Sequence, residues 1–214
     1  MMTDEHSDIP DGDETSAAHT PLAVSYTEAL TLPRDAAELD GPFPLREGAT
    51  LHQRAIRVDD APRLQRFHQR LSERSIFFRF AGVMPELNRA LAERLSQVDY
   101  AERMAIVVTG GRGVDEPIIA VARYERNGTD SAEFAIAVDD AWQGRGIGPR
   151  LLRTLAAYAL RQGFTSFLAN VLYDNDHMLA LLRHSGMLTT LRIRDGYAEA
   201  WLDITGARSA HDAR

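Results

Sequence analysis

"WQGRGIGPRLLRTLAAYAL", residues 142–160, decides how this chain is read, because three glycines and an arginine stand directly before an apolar run with helical spacing. Glycines there let the backbone approach a ligand closely. A helix that begins on them aims its N–H groups and the positive end of its dipole at the same point. That is an anion site, and three kinds of phosphate fold compete for it. A P-loop ends in Gly-Lys-Ser/Thr, and the chain contains no lysine, which removes that reading. A dinucleotide fingerprint needs Gly-x-Gly-x-x-Gly. Gly144 and Gly146 fit it, but Pro149 stands at the third place and the turn follows three strand-like runs. The third reading is a diphosphate held on successive backbone N–H groups at a helix start. Pro149 in the first turn then costs no hydrogen bond, and Arg145 and Arg150 can add charge-assisted contacts.

Outward from the turn, the pattern is that of an α/β domain. Upstream lie a strand within 50–58, a helix over 59–71 led by Asp59 or Asp60 and Pro62, and a helix opening at Pro85. Three strand-like runs follow: "MAIVVTG", "EPIIAVARYER" and "AEFAIAV". Downstream, the helix ends before Gly163, "FTSFLANVL" is a strand and "DHMLALLRHSG" a helix. The runs 188–194 and 197–204 join through Asp195-Gly196 as a hairpin.

The chain of 214 residues is long enough for one domain with a sizeable core. Its net charge of −7 is unevenly placed: residues 1–50 carry 11 acidic and 2 basic side chains, and the rest 20 and 22. The expected organisation is an acidic, largely disordered or extended arm over 1–49, the α/β domain over 50–206, and a tail over 207–214. A near-neutral body offers no nucleic-acid footprint, and Arg153 and Arg161 interrupt the longest apolar run, so neither a nucleic-acid nor a membrane partner is expected. The acidic N-terminus does not resemble a signal peptide, and a cytoplasmic location is expected. Cysteine is absent, which excludes disulfides, thiolate–metal sites and an acyl-cysteine intermediate; the seven histidines lack metal-ligand spacing, so no metal is expected.

"QGRGIG" at 143–148, between "AEFAIAV" and a helix, resembles the acetyl-CoA loop of the GNAT acetyltransferases. "FLANVLYDNDHMLALLRHSGM" resembles that family's next strand and helix. "LSERSIFFRF" and "LSQVDYAERMAIVV" resemble one branch, the GNAT domains of bacterial protein lysine acetyltransferases. The resemblance spans about residues 50–204. It implies a mixed, mostly antiparallel sheet with two splayed strands, flanked by helices, and acetyl-CoA as cosubstrate between "AEFAIAV" and "FTSFLANVL". Pantetheine would pair along the strand edge at Ala137, Val138 and Asp140. The diphosphate would rest on Gln143, Gly144, Arg145, Gly146, Ile147 and Gly148, with Arg150 nearby. Asn175 would touch pantetheine, although it reads equally as a helix N-cap.

Strand alternation places Glu133, Ala135 and Ala137 on one face and Phe134, Ile136 and Val138 on the other. Two alanines beside a carboxylate leave room for an acceptor amine, and the resemblance makes Glu133 the general base and the Val138 N–H the oxyanion donor. A tyrosine that often protonates the leaving thiolate in this family is replaced here by Leu182. The implied function is acetyl-CoA-dependent N-acetyl transfer in a ternary complex, with lysines of proteins such as acyl-CoA synthetases as acceptors. Two alternatives stay open. One is a small-molecule amine acceptor drawn by Asp139, Asp140, Asp174 and Asp176; the other is a module that binds acyl-CoA without turnover.

Overall fold

The computed structural model describes residues 36–208 apart from Val114. Residues 1–35 and 209–214, which include most of the expected arm and tail, lie outside the described residues. One eight-stranded sheet organises the rest. Its strands are β1 (Gly41–Pro44), β2 (Thr50–Ala55), β3 (Arg103–Thr109), β4 (Ile118–Arg126), β5 (Ser131–Val138), β6 (Ser166–Leu172), β7 (Leu188–Arg194) and β8 (Tyr197–Asp203). They lie in the order β1-β2-β3-β4-β5-β6-β8-β7. Every neighbouring pair is antiparallel except β5 and β6, which are parallel. Parallel neighbours need a crossover, and the long helix α4 (Ile147–Arg161) that follows the glycine turn supplies it.

The two faces of the sheet carry separate cores. Phe134, Ile136 and Phe167 pack with Leu151, Leu155 and Tyr158 of α4 on one face. On the other, Val107, Ile118 and Val121 pack under α1 (Ala61–Arg70) and α3 (Arg89–Ser96). Leu64, Phe67 and Leu71 form the buried stripe their spacing predicts. A helix α2 (Glu73–Phe80), which lies between α1 and α3 in sequence, packs near β5 and turns Ile76 and Phe80 onto the same core. The last helix, α5 (Asp176–His184), precedes the Asp195-Gly196 hairpin.

Three elements differ from the sequence reading. The helix expected from Pro85 begins at Arg89, because the Asn88 side chain accepts from the N–H of Leu91 and fixes the start there. α2 went unread: Ile76, Phe77, Phe78 and Phe80 crowd together without marking one helical stripe, although Ser72 caps it by accepting from Ser75 N. Residues 41–44, placed in the arm, form an edge strand, and Leu39, Phe43 and Leu45 enter the core.

Candidate active site

The site is built where the sheet divides. β5 and β6 pair only at Ser131↔Ser166, Ala132↔Phe167 and Glu133↔Leu168, and beyond Glu133 they separate. β5 meanwhile stays paired with β4 as far as Ala120↔Val138. The Asp139 N–H donates to Ile119 O at 2.9 Å, which sets the alternation of this ladder. Residues 137, 135 and 133 therefore turn their backbone groups to β4, and Val138, Ile136 and Phe134 turn theirs into the fork. Of the residues expected to line this edge, Val138 presents its N–H and carbonyl, and Ala137 presents only its side chain. Gln143 Nε2 donates to Val138 O at 3.1 Å, across the mouth of the fork.

The glycine turn closes the end of β5. Gly144 and Gly146 have φ of 75° and 80°, a region other residues enter only with strain, and Gly146 is the N-cap of α4. A Cβ built on either glycine meets nothing within 4 Å, and one on Gly148 meets only Leu181 at 3.9 Å. Among the described residues no backbone carbonyl accepts from the N–H of Gly144, Arg145 or Gly146, and Ile147 and Gly148 lie in a helical first turn. Open space in front of unengaged amides fits a diphosphate. Arg145 stacks on Trp142 at 4.9 Å and pairs with Glu47 at 3.3 Å. Arg150 lies over Phe43 at 4.4 Å and donates to Pro44 O at 3.0 Å. Both arginines thus lean on the segment at β1. Glu47 is 98 residues from Arg145 in sequence, so no local pattern announces the link.

Two expected acidic groups are occupied elsewhere. The Asp140 carboxylate accepts from Ser72 N at 2.9 Å, Ser72 Oγ at 2.7 Å and Ser75 Oγ at 2.7 Å. Burial pushes its pKa up, but these bonds outweigh it and hold the group below the usual carboxylate range. It ties the start of α2 to the turn before the glycines. Asp139 is buried and accepts from Arg70 Nε at 3.0 Å and Ala141 N at 3.1 Å.

Glu133 stands exposed at the point of the fork, with Asn170 of β6 donating to its Oε1 at 3.3 Å. Ala135 and Ala137 are half-buried beside it, and Glu125 is its partner across the β4–β5 ladder. Arg79 of α2 reaches this carboxylate through space. Asn170, Arg79 and Glu125 are additions to the sequence-predicted set. Asn175 is buried and its Oδ1 accepts from Met178 N at 3.1 Å, capping α5. Leu182 is wholly buried in the core, whereas Tyr173 lies exposed at the end of β6.

Comparison with known proteins agrees with this geometry. The profile of the Acetyltransferase (GNAT) family matches residues 65–187. The chain is 35% identical over 147 residues to Acetyltransferase Pat of Mycolicibacterium smegmatis, across 68% of this chain and 43% of that one. It is 31% identical over 121 residues to Acetyltransferase PA5475 of Pseudomonas aeruginosa, across 56% of this chain and 65% of the other. The GNAT domain of S. lividans PAT superposes with a TM-score of 0.71 at 32% identity, covering 78% of this chain and 98% of that structure. The chain therefore spans less than two thirds of either curated relative and nearly all of the solved domain. With a fork in the sheet, a glycine-led helix at its mouth and a profile match over most of both, the chain belongs to the GNAT family of acetyltransferases and is related to bacterial Pat.

Proposed function

We propose that the protein transfers the acetyl group of acetyl-CoA to a lysine side chain of another protein, acyl-CoA synthetases among them. One observation carries this reading: the β5–β6 pairing ends at Glu133↔Leu168, so the open strand edge and a solvent-reaching carboxylate meet at one point. Acetyl-CoA enters the fork with its diphosphate on the amides of 144–148 and its pantetheine amides against the backbone of Ile136 and Val138. The Gln143 side chain must release Val138 O for this to happen.

The chemistry follows from where the groups sit. A lysine ammonium has an ordinary pKa near 10.4 and must lose a proton to attack. Glu133 takes that proton, directly or through one water. The amine nitrogen attacks the thioester carbon, and the new oxyanion is met by the Ile136 N–H, which faces the fork closer to the base; the Val138 N–H expected for this role lies about 16 Å along the strand from Glu133, too far to share one reacting carbon with it. The carbon–sulfur bond then breaks and CoA leaves as a thiolate. A thiol of pKa about 8.5 can leave without a proton donor, so a buried Leu182 does not stop the reaction. No cysteine exists to carry the acetyl group, so amine and acetyl-CoA occupy the site together. The polyamine-like alternative loses support, because Asp139 and Asp140 spend their carboxylates on Arg70, Ser72 and Ser75.

The test is incubation with labelled acetyl-CoA and purified acyl-CoA synthetases, followed by mass spectrometry of the products. Acetyl-lysine that forms with the wild type and is lost with Glu133→Gln is the expected result. Free CoA released rapidly against small amines, with no acetyl-lysine on any protein, overturns the reading.

A further inference from the structure

On the Glu133 face of the sheet the charges do not balance. Arg123 projects from β4 directly across the ladder from Ala135, the residue that leaves space beside Glu133. It is only 9% exposed, and its one recorded hydrogen bond runs to Leu95 O at 3.2 Å. Arg79 approaches the same region from α2, its guanidinium 5.0 Å from the Phe80 ring. Neither forms an ion pair among the described residues, although Arg54 and Arg63 are both paired with the buried Asp60. Glu125, the nearby carboxylate, is directed to Arg103 at 3.8 Å. Burial, and after it the charges of Arg79 and Arg103, lower the Arg123 pKa to about 9 against the opposing charge of Glu125, so these guanidiniums repel one another. Burial likewise pulls Arg79 down, and only the Glu133 charge opposes it. An unpaired buried cation is costly, and one beside a cleft is a candidate site for a ligand of opposite charge.

We propose that Arg79 and Arg123 form a receptor for a carboxylate carried by the acceptor close to its reactive amine, so that the preferred acceptor is a lysine flanked by aspartate or glutamate. This rests on the acetyl-transfer reading of the Glu133 fork. The logic is electrostatic. Two guanidinium groups beside the base repel an approaching lysine ammonium, and a neighbouring carboxylate turns that approach into attraction while its fork accepts paired N–H donors. The same field rejects polycations that bring no anion.

The test compares kcat/KM for lysine peptides that carry Glu or Gln at each of the three positions on either side of the lysine. It also compares 6-aminohexanoate with its N-methylamide, and includes spermidine. The wild type should favour at least one Glu peptide over its Gln counterpart by about tenfold or more. Spermidine should be among the poorest acceptors. Arg79→Gln, on a half-buried helical position, and Arg123→Met, which keeps the buried stem, should each bring that ratio to about 1 with the KM for acetyl-CoA unchanged. Arg79→Glu should reverse the preference toward Arg-flanked lysines. Equal rates on Glu and Gln peptides, with both acetylated, overturn this inference and leave the lysine reading standing. If no peptide reacts, the lysine reading falls, and preference for 6-aminohexanoate over its amide then upholds the carboxylate receptor alone. Absence of that preference, or turnover of neither amine, overturns it.

Discussion

At the scale of single residues, the proposed transfer divides its work between Glu133 and the Ile136 amide. The carboxylate reaches solvent on the face that leaves room for an amine, and the amide faces the opened edge. Replacing Glu133 by Gln keeps the shape and the Asn170 contact but removes the proton acceptor. The expected loss is about 10²–10⁴-fold in kcat with acetyl-CoA affinity within twofold of wild type, read by steady-state kinetics beside calorimetry. A variant with undiminished kcat would show that another group takes the proton. The Glu133 position was legible because strand alternation needs only the local sequence. Its neighbours were not. Asn170, Arg79 and Arg123 come from three other elements, and only the sheet order and the packing of α2 on β5 bring them together. Of the two readings of Asn175, the structure gives the helix cap, its Oδ1 accepting from Met178 N at the start of α5.

Among elements, the glycine turn and α2 form one assembly. Asp140 joins them, with three hydrogen bonds from Ser72 and Ser75 on a carboxylate two residues beyond the end of β5. Asp140→Ala should free the start of α2. We expect faster amide exchange over residues 73–80 and a loss of roughly 1–3 kcal/mol in stability by denaturant unfolding. Unchanged exchange in α2 would mean that the helix is held by its apolar face alone. Gly146→Ala should cost about 1–2 kcal/mol, because φ of 80° is strained for any residue with a Cβ, and acetyl-CoA should bind about tenfold more weakly. Wild-type affinity in that variant would place the diphosphate elsewhere. The turn could be read from sequence because glycine, arginine and a helical period coincide there. α2 could not, because Ile76, Phe77, Phe78 and Phe80 fall on more than one side of so short a helix and give little periodic signal.

For the whole molecule, one sheet with a core on each face keeps the fork rigid. The α4 side carries the glycine turn, and the α1–α3 side lies on the face that bears Glu133, Ala135 and Ala137. Its most demanding polar feature is Asp60, wholly buried, which receives Arg54 at 2.6 and 2.8 Å, Arg63 at 2.6 Å and Arg57 N at 2.8 Å. Burial pushes its pKa up, but the Arg54 bond and the others win and hold it below its ordinary 3.8. A carboxyl lowered by folding stabilises above its unfolded pKa, and that stability is lost as pH falls through the folded value. Thermal melting should therefore drop more steeply below about pH 4 in the wild type than in Asp60→Asn. That variant should be about 3–5 kcal/mol less stable at neutral pH, because it strands two guanidinium groups. Equal stability at neutral pH would show that the pair contributes nothing net. The sequence reading took Asp60 only as a helix-start signal; its carboxylate makes no cap bond to α1 and instead accepts from Arg57 N in the capping box of the short turn before it. The strand at 41–44 was read only as part of a disordered or extended arm for a related reason: Gly-Pro-Phe-Pro carries no alternation, and its place in the sheet comes from pairing with β2 and from burial of Phe43 under Arg150 of α4.

The central claim is that acetyl-CoA occupies the divided sheet with its diphosphate on the turn. The most direct measurement is a crystal structure of the chain with CoA bound. It should show phosphate oxygens within hydrogen-bonding distance of the amides of 144–148, pantetheine along Ile136 and Val138 in place of the Gln143 side chain, and the sulfur near Glu133. A CoA molecule bound away from the fork, with Gln143 still on Val138 O, would contradict it.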